Sequence, residues 1–225
     1  MRSIQASVMF PLSAVKPLER LRRYREYCLS TAREVRREPT PERRRCLACE
    51  AARVPLGDVE GFPYLRCLGC ESLFLDRVAA PGAWAGLLRQ VAEYRHSPET
   101  FHTEIAASRR EKILAPRLDW IRNALLLQDL SRPRLLETVT PPSDTEELLR
   151  ASGLFAEVVS RDEMALLGEG GGPEPAFDVA VMFESLDRVS DPAALLGAVR
   201  RRLTAGGLLF VTAVVASGFD MTVLG

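Results

Sequence analysis

An α/β protein is expected from this chain, on three observations. Strand-like and helix-like segments alternate from Arg134 onward, an amphipathic helical zone fills roughly residues 81–132, and two Cys-x2-Cys pairs stand close together ahead of it. The expected order is a small four-cysteine ribbon, a helical linker and an incomplete, largely parallel sheet. By segment, this gives a basic helical arm at 1–42, the ribbon at 43–80, the linker at 81–132 and the α/β part at 133–225. The 225 residues, 47% hydrophobic and 27% charged, suffice for one full core plus a small appended unit.

The formal net charge is zero, but it is unevenly spread: residues 1–45 hold 12 Lys/Arg against 5 Asp/Glu, leaving 18 against 25 for the rest. Within that arm, "PLERLRRYREYCLSTAREVRRE" places Leu18, Leu21, Tyr24, Cys28 and Val35 near helical spacing, with Pro17 at its start. Cys28 is expected to be buried on the apolar face. The arginines read as a solvated face. A nucleic-acid surface needs aromatic or glycine interleaving and a larger basic excess, so nucleic acid is not an expected partner. No run approaches the ~20 apolar residues that span a bilayer. "SIQASVMFPLSAV" has neither a charged n-region nor a small-residue cleavage pattern. A cytoplasmic protein without a membrane partner is therefore expected.

Four of the five cysteines then need a reason to exist in a reducing compartment. Cys46-x2-Cys49 and Cys67-x2-Cys70 are separated by 17 residues. A two-residue spacer lets both thiolates of a turn face one point about 2.3 Å away, and two such turns complete the tetrahedron that zinc takes. Two disulfides, or unrelated cysteines, are the alternative, which a reducing compartment disfavours. Four sulfurs close the site, so a zinc held there is structural rather than catalytic.

Further along, "FPYLRC" and "SLFLDR" read as short strands around the second cysteine pair, and "AASRREKILAPRLDWIRNALLLQDL" as helix. His96 and His102 precede that helix with no cysteine or carboxylate at ligand spacing, so they read as surface or structural residues. "RLLETV" is a strand, "SDTEELLRAS" a helix ending near Gly153, and "FAEVVS" a second strand. "AFDVAVMFE" has the continuous apolarity of a strand buried on both faces. Asp191 caps the next helix, with Pro192 at its first position and Arg200 to Arg202 in its last turn. "GLLFVTAV" is the final strand, and "GEGGGPEP" a flexible connection.

These pieces resemble the class I S-adenosylmethionine-dependent methyltransferases, in particular the bacterial subset with an N-terminal zinc ribbon that includes deoxysugar C-methyltransferases. The resemblance covers roughly residues 43–225 and is most specific at Phe177-Asp178, Glu184-Ser185-Leu186-Asp187-Arg188, Asp191-Pro192 and Ala205-Gly206-Gly207-Leu208. It implies an incomplete Rossmann-like methyltransferase sheet, with Glu137 as the acid ending the first strand and Asp162 as the ribose-binding acid. The family's E-H pair is Asp187-Arg188 here.

Three departures reshape what the resemblance implies. The family's G-x-G-x-G loop lets the cofactor lie against bare backbone, yet the matching positions are Val139, Pro141 and Ser143, and Pro141 and Pro142 remove two donors. "SDTE", Ser143 to Glu146, instead reads as a capping box that satisfies the helix's own N-terminus. Between Asp162 and Phe177 only 14 residues remain, too few for a further helix and strand, so the third strand is expected to be missing. The chain stops at "SGFDMTVLG", where the family continues to a closing hairpin.

The expected function is thus a methyltransferase-like zinc protein with a degenerate cofactor site, Glu137 and Asp162 being vestigial. It would act as a non-catalytic binding or scaffold subunit, pairing with another chain or with itself through its open sheet edge. The alternative is an active S-adenosylmethionine-dependent methyltransferase acting on a sugar or other small molecule. No catalytic residue is assignable.

Overall fold

The computed structural model describes residues 18–36, 42–97, 102–140, 142–168 and 176–215. The arm at 1–17, Pro141, most of the glycine-rich connection (169–175) and the terminal 216–225 lie outside the described residues. So does the side chain of His102. Two sheets organise the rest. One is three-stranded and antiparallel, in the order β1 (Arg53–Val59), β2 (Phe62–Cys67), β3 (Leu73–Leu75). The other is four-stranded and parallel, built from β4 (Arg134–Thr138), β5 (Glu157–Arg161), β6 (Phe177–Phe183) and β7 (Leu203–Thr212) in the spatial order β5-β4-β6-β7.

The parallel sheet is apolar on both faces, and the period of two is readable in its core. Leu135, Val179 and Val181 face one cluster together with Leu118, Ile121 and Leu125 of helix α4 (Ala115–Leu127) and Leu149 of helix α5 (Asp144–Ala151). Leu136, Ala180 and Met182 face the other. There they meet Leu166 of helix α6 (Glu163–Gly168) and Leu195, Ala198 and Val199 of helix α7 (Pro192–Arg202). Helices on both faces are what a parallel sheet requires, since neither face can be left to water. Gly207 lets β7 close on β6, because a Cβ there would stand 3.1 Å from the Asp178 carbonyl oxygen.

The N-terminal helices tie the two sheets together. Helix α1 (Leu18–Val35) stacks Tyr27 on Tyr94 of helix α2 (Pro81–Arg95) with ring centroids 3.8 Å apart. Arg25 and Arg33 of α1 reach Glu60 in the β1–β2 turn, and Arg36 lies over the Phe62 ring. Several arginines expected to form only a solvated face thus also clamp the small sheet. Cys28, expected buried, is half-buried.

Three elements differ from the expectation. β1 was not foreseen, because its residues are almost all exposed and show no alternation, and Pro55 and Gly57 interrupt it with a register shift. The stretch after Asp162 holds α6, and no strand is found among its described residues. β7 begins at Leu203 rather than at Gly207, so the Ala205-Gly206 turn is drawn into the strand, with Gly206 at φ 82°.

One distortion bears on the site. Helix α3 (His102–Arg109) runs into α4 through a π-helical turn, Arg110–Leu114. Pro116 explains it: proline has no N–H to give and its ring clashes with the carbonyl four residues back, so an i→i−5 pattern takes over, with the Ala115 N–H donating to Arg110 O.

Candidate functional site

The two cysteine pairs form matching turns. Cys46 N–H donates to Ala51 O (3.1 Å), and Cys67 N–H to Ser72 O (3.0 Å), the same five-residue closure each time. Ala48 N and Gly69 N then donate to the sulfurs of Cys46 and Cys67 at 3.3 and 3.2 Å. Glu50 and Glu71, the residues after each pair, both take positive φ, 59° and 61°. The repeated Cys-Leu-x-Cys-Glu is thus one backbone shape used twice. Its outcome is a cluster whose four Sγ atoms lie within 4.8 Å of one another, with Cys46–Cys70 at 3.6 Å and Cys49–Cys67 at 3.4 Å. Sulfurs on a tetrahedron of about 2.3 Å radius stand about 3.8 Å apart, so the four lie close enough to bind a metal ion and are compatible with structural zinc.

Gly69 is required by this closeness. A Cβ there would stand 2.9 Å from Ala51 Cβ and 3.4 Å from Cys49 Sγ. The sulfurs also share protons unequally. The Ser72 hydroxyl and amide pull Cys70 down to about 6. For Cys49 the Ala51 amide lowers the pKa, but hydrogen bonding to the other three thiols outweighs it and pushes the value up to about 12. A cation at the centre favours all four thiolates at once.

The second candidate region lies at the carboxyl ends of the parallel strands. After β4 the chain moves outward to β5 and then returns past β4 to β6, so β4 and β6 flank a switch point, the usual place for a crevice in such sheets. Three strand-end loops meet there, and α2 lies across them. Trp84 Nε1 donates to Arg188 O (2.6 Å), Arg89 pairs with Asp162 (3.3 Å), and His96 Nε2 meets the Asp144 carboxylate (3.2 Å). α2 and its C-terminal cap His96 are thus fastened to the loops after β6 and β5 and to the start of α5.

Both acids implied by the resemblance sit at these strand ends and are engaged within the protein. Glu137 is 3% exposed, and its carboxylate accepts from Ser143 Oγ (3.0 Å) and Ser160 Oγ (2.7 Å). Burial pushes its pKa up to about 7, against the lowering effect of the two serines. Asp162 accepts from the Ala165 N–H (2.8 Å) at the start of α6 while its other oxygen faces Arg89. Neither lines the cavity beneath α2. Ser143 caps α5 by accepting from Glu146 N (3.2 Å), half of the expected capping box. The other half is not formed: Glu146 pairs instead with Arg150, one turn on.

Comparison with protein-family models, with curated proteins and with solved structures returns no match. The site is therefore read from its own residues.

Beneath α2 lies a cavity of about 240 Å³. Four arginines line it: Arg95 from α2, Arg109 and Arg117 from either side of the π-helical turn, and Arg188 from the loop after β6. Glu184 and one carboxylate oxygen of Glu163 are engaged within the protein. Glu184 pairs with Arg117 and lies 3.9 Å from Arg188, and Glu163 Oε1 accepts from Ser190 N (3.0 Å) and Ser190 Oγ (2.7 Å). Burial pushes the Glu184 carboxyl upward, but Arg117, Arg188 and Arg109 outweigh it and hold it below the usual carboxylate range. Glu184 also takes a positive φ of 53°, a conformation uncommon outside glycine. None of Arg109, Arg117, Glu163 or Glu184 was singled out as a site residue from the sequence. They come from separate segments, and Pro116 inside an otherwise helical pattern was the one local sign of a distortion there.

Proposed function

We propose that this chain is a methyltransferase-like zinc protein whose S-adenosylmethionine site is closed by its own side chains, serving as a non-catalytic binding or scaffold subunit. The observation that carries this is the triple fastening of α2 across the strand-end loops, with Glu137 and Asp162 both consumed beneath or beside it. Strand order supports the family reading: β5-β4-β6-β7 fits the middle of a doubly wound sheet of order 3-2-1-4-5-6, with the outer third and sixth strands absent among the described residues. Size supports the closure, since sites for drug-sized ligands run from about 300 Å³ upward, above the 240 Å³ present.

Zinc in the four-thiolate cluster braces the small sheet, and the partner is another chain, or a second copy, on the edge of β7 left unpaired among the described residues, where Leu209, and Val214 and Val215 just after the strand, are exposed. Thermal unfolding with about 1 mM S-adenosylmethionine tests the reading. A micromolar site adds about 4 kcal/mol under those conditions, a rise of several degrees. No rise is expected, and a clear one promotes the active-enzyme alternative.

A further inference from the structure

The cavity beneath α2 holds more unmet polar chemistry than any role above uses. Among the described residues, four of those that line it each carry a buried side-chain atom without a hydrogen-bond partner: Arg109 Nε, Thr138 Oγ1, Glu163 Oε2 and Ser185 Oγ. Thr138 and Glu163 are only 3% and 6% exposed. Buried polar groups in native proteins are almost always paired, and an orphan calls for an explanation. Four around one cavity share a single one.

Arg109 sets the sign. Arg117 has Glu184, whereas no ion pair ties the Arg109 guanidinium to a described residue. Burial, then Arg95, pushes its pKa down to about 10, with Glu184 and Asp144 opposing. A half-buried cation held beside other arginines is stabilised by an oxyanion, to which a guanidinium offers two parallel donors. Glu163 Oε2 sets the second requirement. An anion alone would repel it, so the ligand must also carry a donor for it, as a hydroxyl does, and Thr138 and Ser185 can pair with further hydroxyls. The volume of about 240 Å³ leaves room for a small metabolite.

We propose that this cavity binds a small hydroxylated oxyanion, a phosphate or carboxylate, with its head group on Arg109 and its hydroxyls on Glu163, Thr138 and Ser185. The inference rests on the cavity's own side chains and not on the methyltransferase reading: S-adenosylmethionine binding bears on that reading alone.

Calorimetric titration of the intact protein with glycerol 3-phosphate and with inorganic phosphate tests it. Glycerol 3-phosphate should bind saturably below about 20 mM and about fivefold or more tighter than inorganic phosphate, one added hydroxyl bond being worth that much. Arg109→Gln should weaken it about tenfold or more, the loss of one charge-assisted contact. Because Arg109 has no ion-pair partner among the described residues to strand, that variant should stay folded, with unchanged circular dichroism and an unchanged or raised melting temperature. Absence of saturable binding in that range, equal affinity for the two probes, or unchanged affinity in folded Arg109→Gln overturns the proposal.

Discussion

Glu137 closes the end of β4 with its carboxyl buried between two serine hydroxyls, and its pKa of about 7 makes it a cost to the folded state at neutral pH. The folded chain holds that proton from the ordinary value of 4.5 up to about 7, while the unfolded chain has already lost it. Stability from this group is therefore full below the ordinary value, declines as pH rises through the window, and levels off above it. The span is up to about 3 kcal/mol. Glu137→Gln keeps an acceptor for one serine and never ionises, so its urea unfolding should show a flatter pH slope than the parent. It should also be the more stable protein at pH 8, and equal slopes for the two would refute the assignment. Gly69 offers a second test at this scale. Valine there places its Cβ within 2.9 Å of Ala51 Cβ, forcing the two cysteine turns apart. Purified Gly69→Val should carry well under one zinc per chain where the parent carries one, and Cys67→Ser should lose zinc and melt the small sheet locally. A metal-free parent by elemental analysis would end the zinc reading.

Helix α5 shows how far local pattern reaches. Ser143 was legible as its cap because a hydroxyl three residues before a glutamate, ahead of an apolar stripe, is a local signal, and the Glu146 N–H does meet its Oγ. The use of the same hydroxyl to hold Glu137 was not legible, since it joins a loop to a strand end through the fold. Ser143→Ala should therefore cost more than the ~1 kcal/mol typical of a lost cap, because it also removes a donor from a buried carboxylate, and denaturant midpoints measure the difference. The strands β4 and β6 were readable from continuous apolar runs, and α7 from Asp191 and Pro192 at its start. β1 was invisible because an exposed strand with proline and glycine carries no period of two. The short α6 is hard to read from sequence because six residues are fewer than two helical turns and show little periodicity.

At the scale of the whole molecule, four cysteines at regular spacing announced their cluster from sequence, since two short turns nearly determine where the sulfurs go. The cavity announced nothing, being assembled from α2, the π-helical turn and three strand-end loops that only the fold brings together. The same long-range assembly gives α2 its part in stability: Trp84 and Arg89 fasten it to the loops after β6 and β5, and His96 to the start of α5. Trp84→Phe removes the donor to Arg188 O and should loosen α2 first, read as faster hydrogen exchange of its amides with the β4 and β6 amides unchanged. On the outer side, β7 leaves a parallel edge unpaired among the described residues, and light scattering at micromolar concentration should find an assembly larger than one chain, or a partner recovered with it. The proposed scaffold role requires a strand-end site closed to S-adenosylmethionine. Val139 and Ser143 stand where the resemblance expects glycine, Glu137 is enclosed by serines, Asp162 is held by Arg89, and α2 covers the crevice. On the proposed reading these losses would remove about 4 kcal/mol from a micromolar site, at roughly 1 kcal/mol for each neutral hydrogen bond forgone. Isothermal titration of the intact chain with S-adenosylmethionine measures this directly. A dissociation constant near or above about 1 mM is expected, and one below about 10 μM, roughly 7 kcal/mol of binding, contradicts the closed site.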